Sequence, residues 1–239
     1  MGSEGLMALG FGLFDDSFMH SGHEIGSGDG YNEENWNAIG EGKHWQRGVC
    51  GGEISYYTSK DQKNFLNPAG MYGVTWEVAA TKYHISFMIA NDAPGSTYGT
   101  VERFAEAGMA TGYRLLVTRC ETNGEETRLT VYNEGIAPLY RDAYFAIDTV
   151  VSTTTLRGLL PKEQREIIIP AALMNGEALH VVSPYILPSQ EIEFRAGGVQ
   201  EGLTIVAQDT DQMGRKEIQD GQVVILYQGD TYLLSGARR

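Results

Sequence analysis

The chain has 239 residues, 42% of them hydrophobic and 21% charged, an ordinary globular composition with enough length for a real core in one or two domains. Its 18 Lys and Arg against 31 Asp and Glu give a formal net charge of −13, and with no basic cluster that balance excludes nucleic-acid backbones and disfavours anionic membrane surfaces. No run approaches the ~18–20 apolar residues of a membrane span, and two cysteines, Cys50 and Cys120, are too few for a disulfide framework.

The start, Met1-Gly2-Ser3-Glu4-Gly5, lacks the basic residues and apolar stretch of a signal peptide. Residues 6–14 form a short apolar run ending at Asp15-Asp16, which reads as a buried strand. A Gly-rich loop follows from His20 to Tyr31. Residues 32–46 are read as a helix with Asn32 as N-cap and Glu33 and Glu34 in its first turn, interrupted by Gly40 and Gly42. Residues 48–57 read as a second strand, then a loop, a helix near 74–81, and a third apolar run at 83–90 that ends in Asn91-Asp92. In residues 100–111, Val101, Phe104, Ala105, Gly108 and Met109 fall on one helical face, with Glu102 suited to the N-terminal dipole. Strand–helix alternation over 1–112 predicts a parallel α/β sheet with right-handed crossovers.

Past Gly112 the period changes from helical to alternating. The runs Leu115/Val117, Leu129/Val131, Phe145/Ile147, Ile192/Phe194, Leu203/Ile205 and Val223/Ile225/Tyr227 are separated by turn signals such as Asn123-Gly124 and Asp220-Gly221. Strands at that spacing without helices between them predict an antiparallel β-sandwich over 113–239. The fold class expected is therefore α/β plus all-β.

Ligands of parallel α/β folds bind beyond the carboxyl ends of the strands. The candidates there are Asp15, Asp16 and His20 after the first strand, Glu53 and Tyr56 in the second, and His84, Asn91 and Asp92 in the third. Each has a plainer reading. Paired aspartates at a strand end also serve as turn or helix caps, and a histidine inside an apolar strand is more often a hydrogen-bonded core residue. Glu53 is the sharpest candidate, because a carboxylate after two glycines in an apolar run is costly to bury without a partner or a task. Trp36, Trp45 and Trp76 offer faces for sugar stacking, or else pack helices onto the sheet. His20, His23 and Glu24 match no tight zinc spacing. No cofactor motif is present: Gly26-Ser27-Gly28-Asp29-Gly30 lacks the strand and Lys-Ser/Thr of a P-loop.

The segments LGFGLFDDSFMHSG, GVCGGEI, YHISFMIAND, GYRLLV and NEGIAPLYRD, in that order, resemble a bacterial family, a domain of unknown function. Its members combine a glycoside-hydrolase-like (β/α)8 barrel with a C-terminal β-sandwich. The resemblance spans roughly residues 6–148. It implies that the three strands correspond to the last three of a barrel, so that 1–112 is a partial barrel-like segment. Glu53 would then take the nucleophile position on strand seven, with the acid/base on an earlier strand and Asp16 a substitute second carboxylate. His84 would orient one of them. The resemblance further implies a carbohydrate ligand, no cofactor, and a secreted or periplasmic setting. Two open sheet edges imply either a truncated chain or a homo-oligomer that covers them. The alternatives are a non-catalytic carbohydrate-binding protein and a structural assembly protein.

Overall fold

The computed structural model describes residues 5, 8, 10–20, 31–90, 94–95, 97–174 and 177–196. It also describes the backbone of 205–207, 215–219, 222–227 and 230–233; for 31–33 likewise only the backbone is described. The architecture is mixed α/β, mostly sheet with few helices.

The first segment contains β1 (Leu13–Phe18), α1 (Tyr31–Ala38), β2 (Cys50–Ile54), α2 (Ser59–Asn64), α3 (Trp76–Lys82), β3 (Phe87–Ile89) and α4 (Val101–Met109). The three strands form a parallel sheet in the order β1-β2-β3, with Asp15 opposite Gly52, Phe18 opposite Ile54, and Glu53 opposite Ile89. Threonines start three of the helices. The Oγ1 atoms of Thr58, Thr75 and Thr100 accept from the amides of Asp61, Val78 and Arg103, each satisfying a donor that the helix itself leaves open. Phe18, Ile54, Trp36, Phe65, Trp76, Tyr83 and Ile85 pack into one core between the sheet and its helices.

Three local expectations need correction. The helix expected over 32–46 stops at Ala38, because Gly40, Glu41 and Gly42 all turn left-handed (φ 63°, 54° and 72°). A separate 3-10 turn, His44–Gln46, follows. Since α1 begins at Tyr31, Asn32 lies inside its first turn and does not cap it. Of the apolar run 83–90, only Phe87–Ile89 is strand: Tyr83 closes α3 and His84 has φ 52°.

The α4 helix is turned away from its expected face. Val101 and Met109 are exposed, and Ala105 and Gly108 with them, whereas Ala107 is buried and Phe104 packs inward. Side-chain contacts set this rotation. Trp76 Nε1 donates to the Ala107 carbonyl at 3.2 Å, and Arg103 pairs with Glu77 at 2.6 Å while donating to the Leu66 carbonyl.

The second segment is built from sheets. β4 (Leu115–Thr122), β5 (Thr127–Asn133) and β8 (Gln164–Ile169) pair antiparallel, and β6 (Tyr144–Ile147) pairs antiparallel with β7 (Val150–Val151) and β9 (Leu179–Val182). Leu115, Val117, Leu129, Val131, Phe145, Ile147, Ile167 and Val181, drawn from both sheets, share one core. Two strands depart from the antiparallel expectation, since β10 (Arg195–Ala196) and β11 (Ile205–Ala207) pair parallel to β4. Ile192 and Phe194 precede β10 and lie outside any strand. β12 (Arg215–Gln219), β13 (Gln222–Tyr227) and β14 (Asp230–Leu233) form an antiparallel meander.

The two cores meet at Gly112, whose amide donates to the Ile85 carbonyl and whose carbonyl accepts from Ile136 and Ala137. Buried Asn133 ties this join with four bonds: Oδ1 accepts from the amides of Arg114 and Gly135, and Nδ2 donates to the carbonyls of Ala137 and Leu159. Among the described residues no helix is long and apolar enough to cross a membrane.

Candidate functional site

At the carboxyl end of the parallel sheet, β1 delivers Asp15 through His20 and β2 delivers Glu53 through Tyr57. A bulge between Asp15 and Phe18 shapes this rim. It exists because Gly52 has no side chain: a Cβ there would lie 1.9 Å from the Asp15 carbonyl oxygen. Asp15 is buried, and its Oδ1 accepts from the Ser17 amide at 2.8 Å. Its place in the bulge accounts for it structurally. Asp16 is exposed, with the Ser17 hydroxyl donating to it at 3.4 Å.

Glu53 is half-buried on the central strand. Two residues earlier, Gly51 leaves room for Phe87, whose ring stands 6.3 Å from that of Phe14. By strand alternation Glu53 shares the Gly51 face. Phe14, Phe87 and Ile89 are 57%, 37% and 47% exposed. The sheet therefore presents an uncovered apolar surface that ends in a carboxylate.

Beside it lies a polar network that sequence reasoning missed. Asp61, in the first turn of α2, is 1% exposed yet accepts from four side chains. Oδ1 takes the hydroxyls of Tyr72 (2.7 Å) and Thr58 (2.8 Å); Oδ2 takes the Ser55 hydroxyl (2.8 Å) and His20 Nδ1 (3.1 Å). With the Ser55 hydroxyl committed to Asp61, the His20 proton toward this carboxylate sits on Nδ1. Ser55 and Asp61 thus meet the same ring nitrogen. A nucleophile–base–acid relay needs the two partners on opposite nitrogens, so this is an orienting clamp and not a serine triad. Burial alone would raise the Asp61 pKa, but the bonds from Tyr72, Ser55, His20 and Thr58 outweigh it and hold the carboxyl below its ordinary value. The same carboxylate, with burial, raises Tyr72.

Aromatic rings surround the clamp. Tyr57 lies 4.7 Å from His20, Tyr56 stacks on Tyr57 with planes 21° apart, and Tyr72 meets His20 edge-on. The three tyrosines are 55%, 65% and 49% exposed for Tyr56, Tyr57 and Tyr72. Two residues here, Met19 (φ 66°) and Tyr72 (φ 51°), hold the left-handed conformation that bulky side chains rarely adopt. Backbone strain of that kind gathers at ligand sites.

The structure thus brings Asp16, Glu53, His20 and Tyr56 to one rim, with Asp15 buried beneath. It takes other candidates away. Trp36 and Trp76 are 7% and 2% exposed and pack edge-on against Tyr83, Phe18 and Phe65, so they belong to the core. His84 precedes β3 at its amino end, across the sheet from the carboxylates. Its ring stacks on Trp45 at 3.5 Å and Nδ1 donates to the Ile136 carbonyl. It joins the two segments and cannot orient Glu53 or Asp16 from there. Asn91, Asp92, His23, Glu24 and the Gly26–Gly30 loop lie outside the described residues. Among the described residues no three His, Cys, Asp or Glu side chains group closely enough to hold a metal. Burial pushes the Cys50 thiol up to about 12, so it is no nucleophile at neutral pH.

One signal could have found the clamp. Thr58-Ser59-Lys60-Asp61 fits the Ser/Thr-x-x-Asp/Glu capping pattern, which would have placed a helix start just after β2 and put Asp61 at the rim. No protein-family model matches the chain, and no curated protein or solved structure is significantly similar to it.

Proposed function

We propose that this rim engages carbohydrate in the manner of a glycoside hydrolase, the parallel segment serving as a partial (β/α)-barrel wall and the second segment as a β-sandwich. One observation carries the reading: exposed Tyr56 and Tyr57 stack beside a histidine held by a buried aspartate, next to the strand that carries Glu53. A sugar ring offers C–H faces for the tyrosines and hydroxyls for His20 and the carboxylates. Glu53 is the nucleophile or base and Asp16 the second carboxylate. Their carboxyl separation sets the stereochemical outcome, ~5–5.5 Å for retention and ~6.5–9.5 Å for inversion. Association with a second copy belongs to this reading, since among the described residues no further strand joins β1 or β3 and the same sheet exposes Phe14, Phe87 and Ile89.

A non-catalytic binding site is the second reading, favoured by the exposure of Asp16, since glycosidic carboxylates work in enclosed clefts. A glycan array with a panel of chromogenic glycosides tests both. Tyr57→Ala is expected to weaken glycan binding roughly 3–10-fold, and Glu53→Gln to abolish turnover while binding persists. Binding without turnover by the parent chain selects the second reading. No glycan binding at all overturns the proposal.

A further inference from the structure

A cavity of about 340 Å³ opens at the opposite end of the parallel sheet, between the two segments. The first segment contributes Gly10, Gln46 and Arg47, just ahead of β1 and β2; the second contributes Tyr140, Arg157 and Gly158. Two arginines from distant parts of the sequence thus line one pocket, in a chain carrying thirteen more acidic than basic residues (31 minus 18).

Each side of this pocket is held in place. The Arg47 amide closes the 3-10 turn onto the His44 carbonyl, and Tyr140 donates its hydroxyl to the Trp45 carbonyl at 2.6 Å. On the other side, the Gly158 amide donates to the Leu139 carbonyl and the Arg157 carbonyl accepts from Arg165. The guanidinium groups are less committed. No ion pair among the described residues engages Arg47. Among the described residues Arg157 pairs with Asp142, at 3.7 Å and with its own side chain 62% exposed, a surface pair worth little. Two like charges at the wall of one cavity favour an anion between them.

We infer that this inter-segment pocket binds a small molecule bearing a phosphate or similar oxyanion group. A phosphate ester carries about −1.5 to −2 charges at neutral pH, matching two guanidinium groups that can each bind bidentately. The volume is at the lower end of the ~300–1,000 Å³ range of ligand pockets, larger than a bare phosphate needs, so it accommodates a short carbon skeleton. The long-range acidity of the chain discourages polyanions and leaves compact anions as the ligands that fit.

The probes are inorganic phosphate and glycerol phosphate, with glycerol as the neutral control, titrated calorimetrically into the full chain. Glycerol phosphate is expected to bind and glycerol not. Arg47→Gln and Arg157→Gln should each weaken binding about tenfold or more, and the double substitution should remove it. Both residues are exposed, so the variants are expected to melt at the parent temperature without ligand. Arg119→Gln, remote on β4, controls for net charge and should bind as the parent does. If inorganic phosphate binds as well as glycerol phosphate, the oxyanion group alone is recognised and the pocket assignment stands. The inference fails if the parent shows no binding up to about 10 mM, if the double variant binds like the parent, or if Arg119→Gln weakens binding equally.

Discussion

Asp61 shows how one side chain organises a rim. A carboxylate at 1% exposure is costly unless its lone pairs are met, and here four donors converge on it, from the N-cap of α2, from just past β2 and β1, and from the 71–74 turn. The four donors bring together residues that the sequence separates by up to 52 positions (Tyr72 minus His20). Its charge is therefore coupled to folding. The folded pKa is depressed, so the stabilisation is fully present above the ordinary aspartate pKa of about 3.9 and is lost as pH falls through the lower folded value. Asp61→Asn removes that dependence. Urea unfolding of the variant should show lower stability at neutral pH, but a flatter decline below about pH 4 than the parent. An unchanged acid profile would mean that Asp61 is not the group titrating there.

At the scale of elements, the order of strands and helices in the first segment was legible because local rules set it. Apolar runs bounded by glycine and an acidic first turn placed β1, β2, α3 and α4 close to where they form. What local rules do not contain is the direction in which an element faces. The α4 apolar stripe was real in sequence, but Trp76 and Glu77 on α3 compete for Ala107 and Arg103 and rotate the helix toward them. Likewise His84 read as a strand residue, and only the closure of α3 by Tyr83 moved it to the amino end. The site was legible to the extent of Asp16, Glu53 and His20, whereas the clamp depends on Asp61, which sat in an apparent loop. Glycines give the sharpest test of these contacts. Gly52→Ala should destabilise the protein by about 3 kcal/mol or more, since its Cβ would overlap Asp15 main chain. Gly108→Ala, where a Cβ meets nothing within 4 Å on a helix, should stabilise it by about 0.5–1 kcal/mol. Chemical unfolding of the pair measures both, and like-signed shifts would contradict the packing described.

For the whole molecule, the question is what makes two cores act as one body. Gly112, Asn133, Trp45, His84 and Tyr140 form the join, and His84 is its titratable member. Burial lowers the His84 pKa, against the opposing effect of its bond to the Ile136 carbonyl. The folded pKa thus lies below the unfolded value of about 6.5. Stability from the neutral ring is present above that pH and is lost as pH falls through the folded value. This window opens at about pH 6.5 and the one set by Asp61 at about pH 3.9, so the two begin at different points of a single titration. Asparagine suits the test because it tolerates the left-handed backbone at position 84 and keeps an amide donor for Ile136 without a charge. In the parent, acidification below about pH 6.5 should lower hydrogen-exchange protection, corrected for the intrinsic pH dependence of amide exchange, at the Gly112 and Ile136 amides before the amides within β4 and β5. In His84→Asn, the protection factor of those amides should become independent of pH over the same interval, although the Trp45 stack is lost and the join is weaker throughout. Equal acid sensitivity in parent and variant would place the titrating group elsewhere, and simultaneous exchange at the join and in β5 would show that the segments open together.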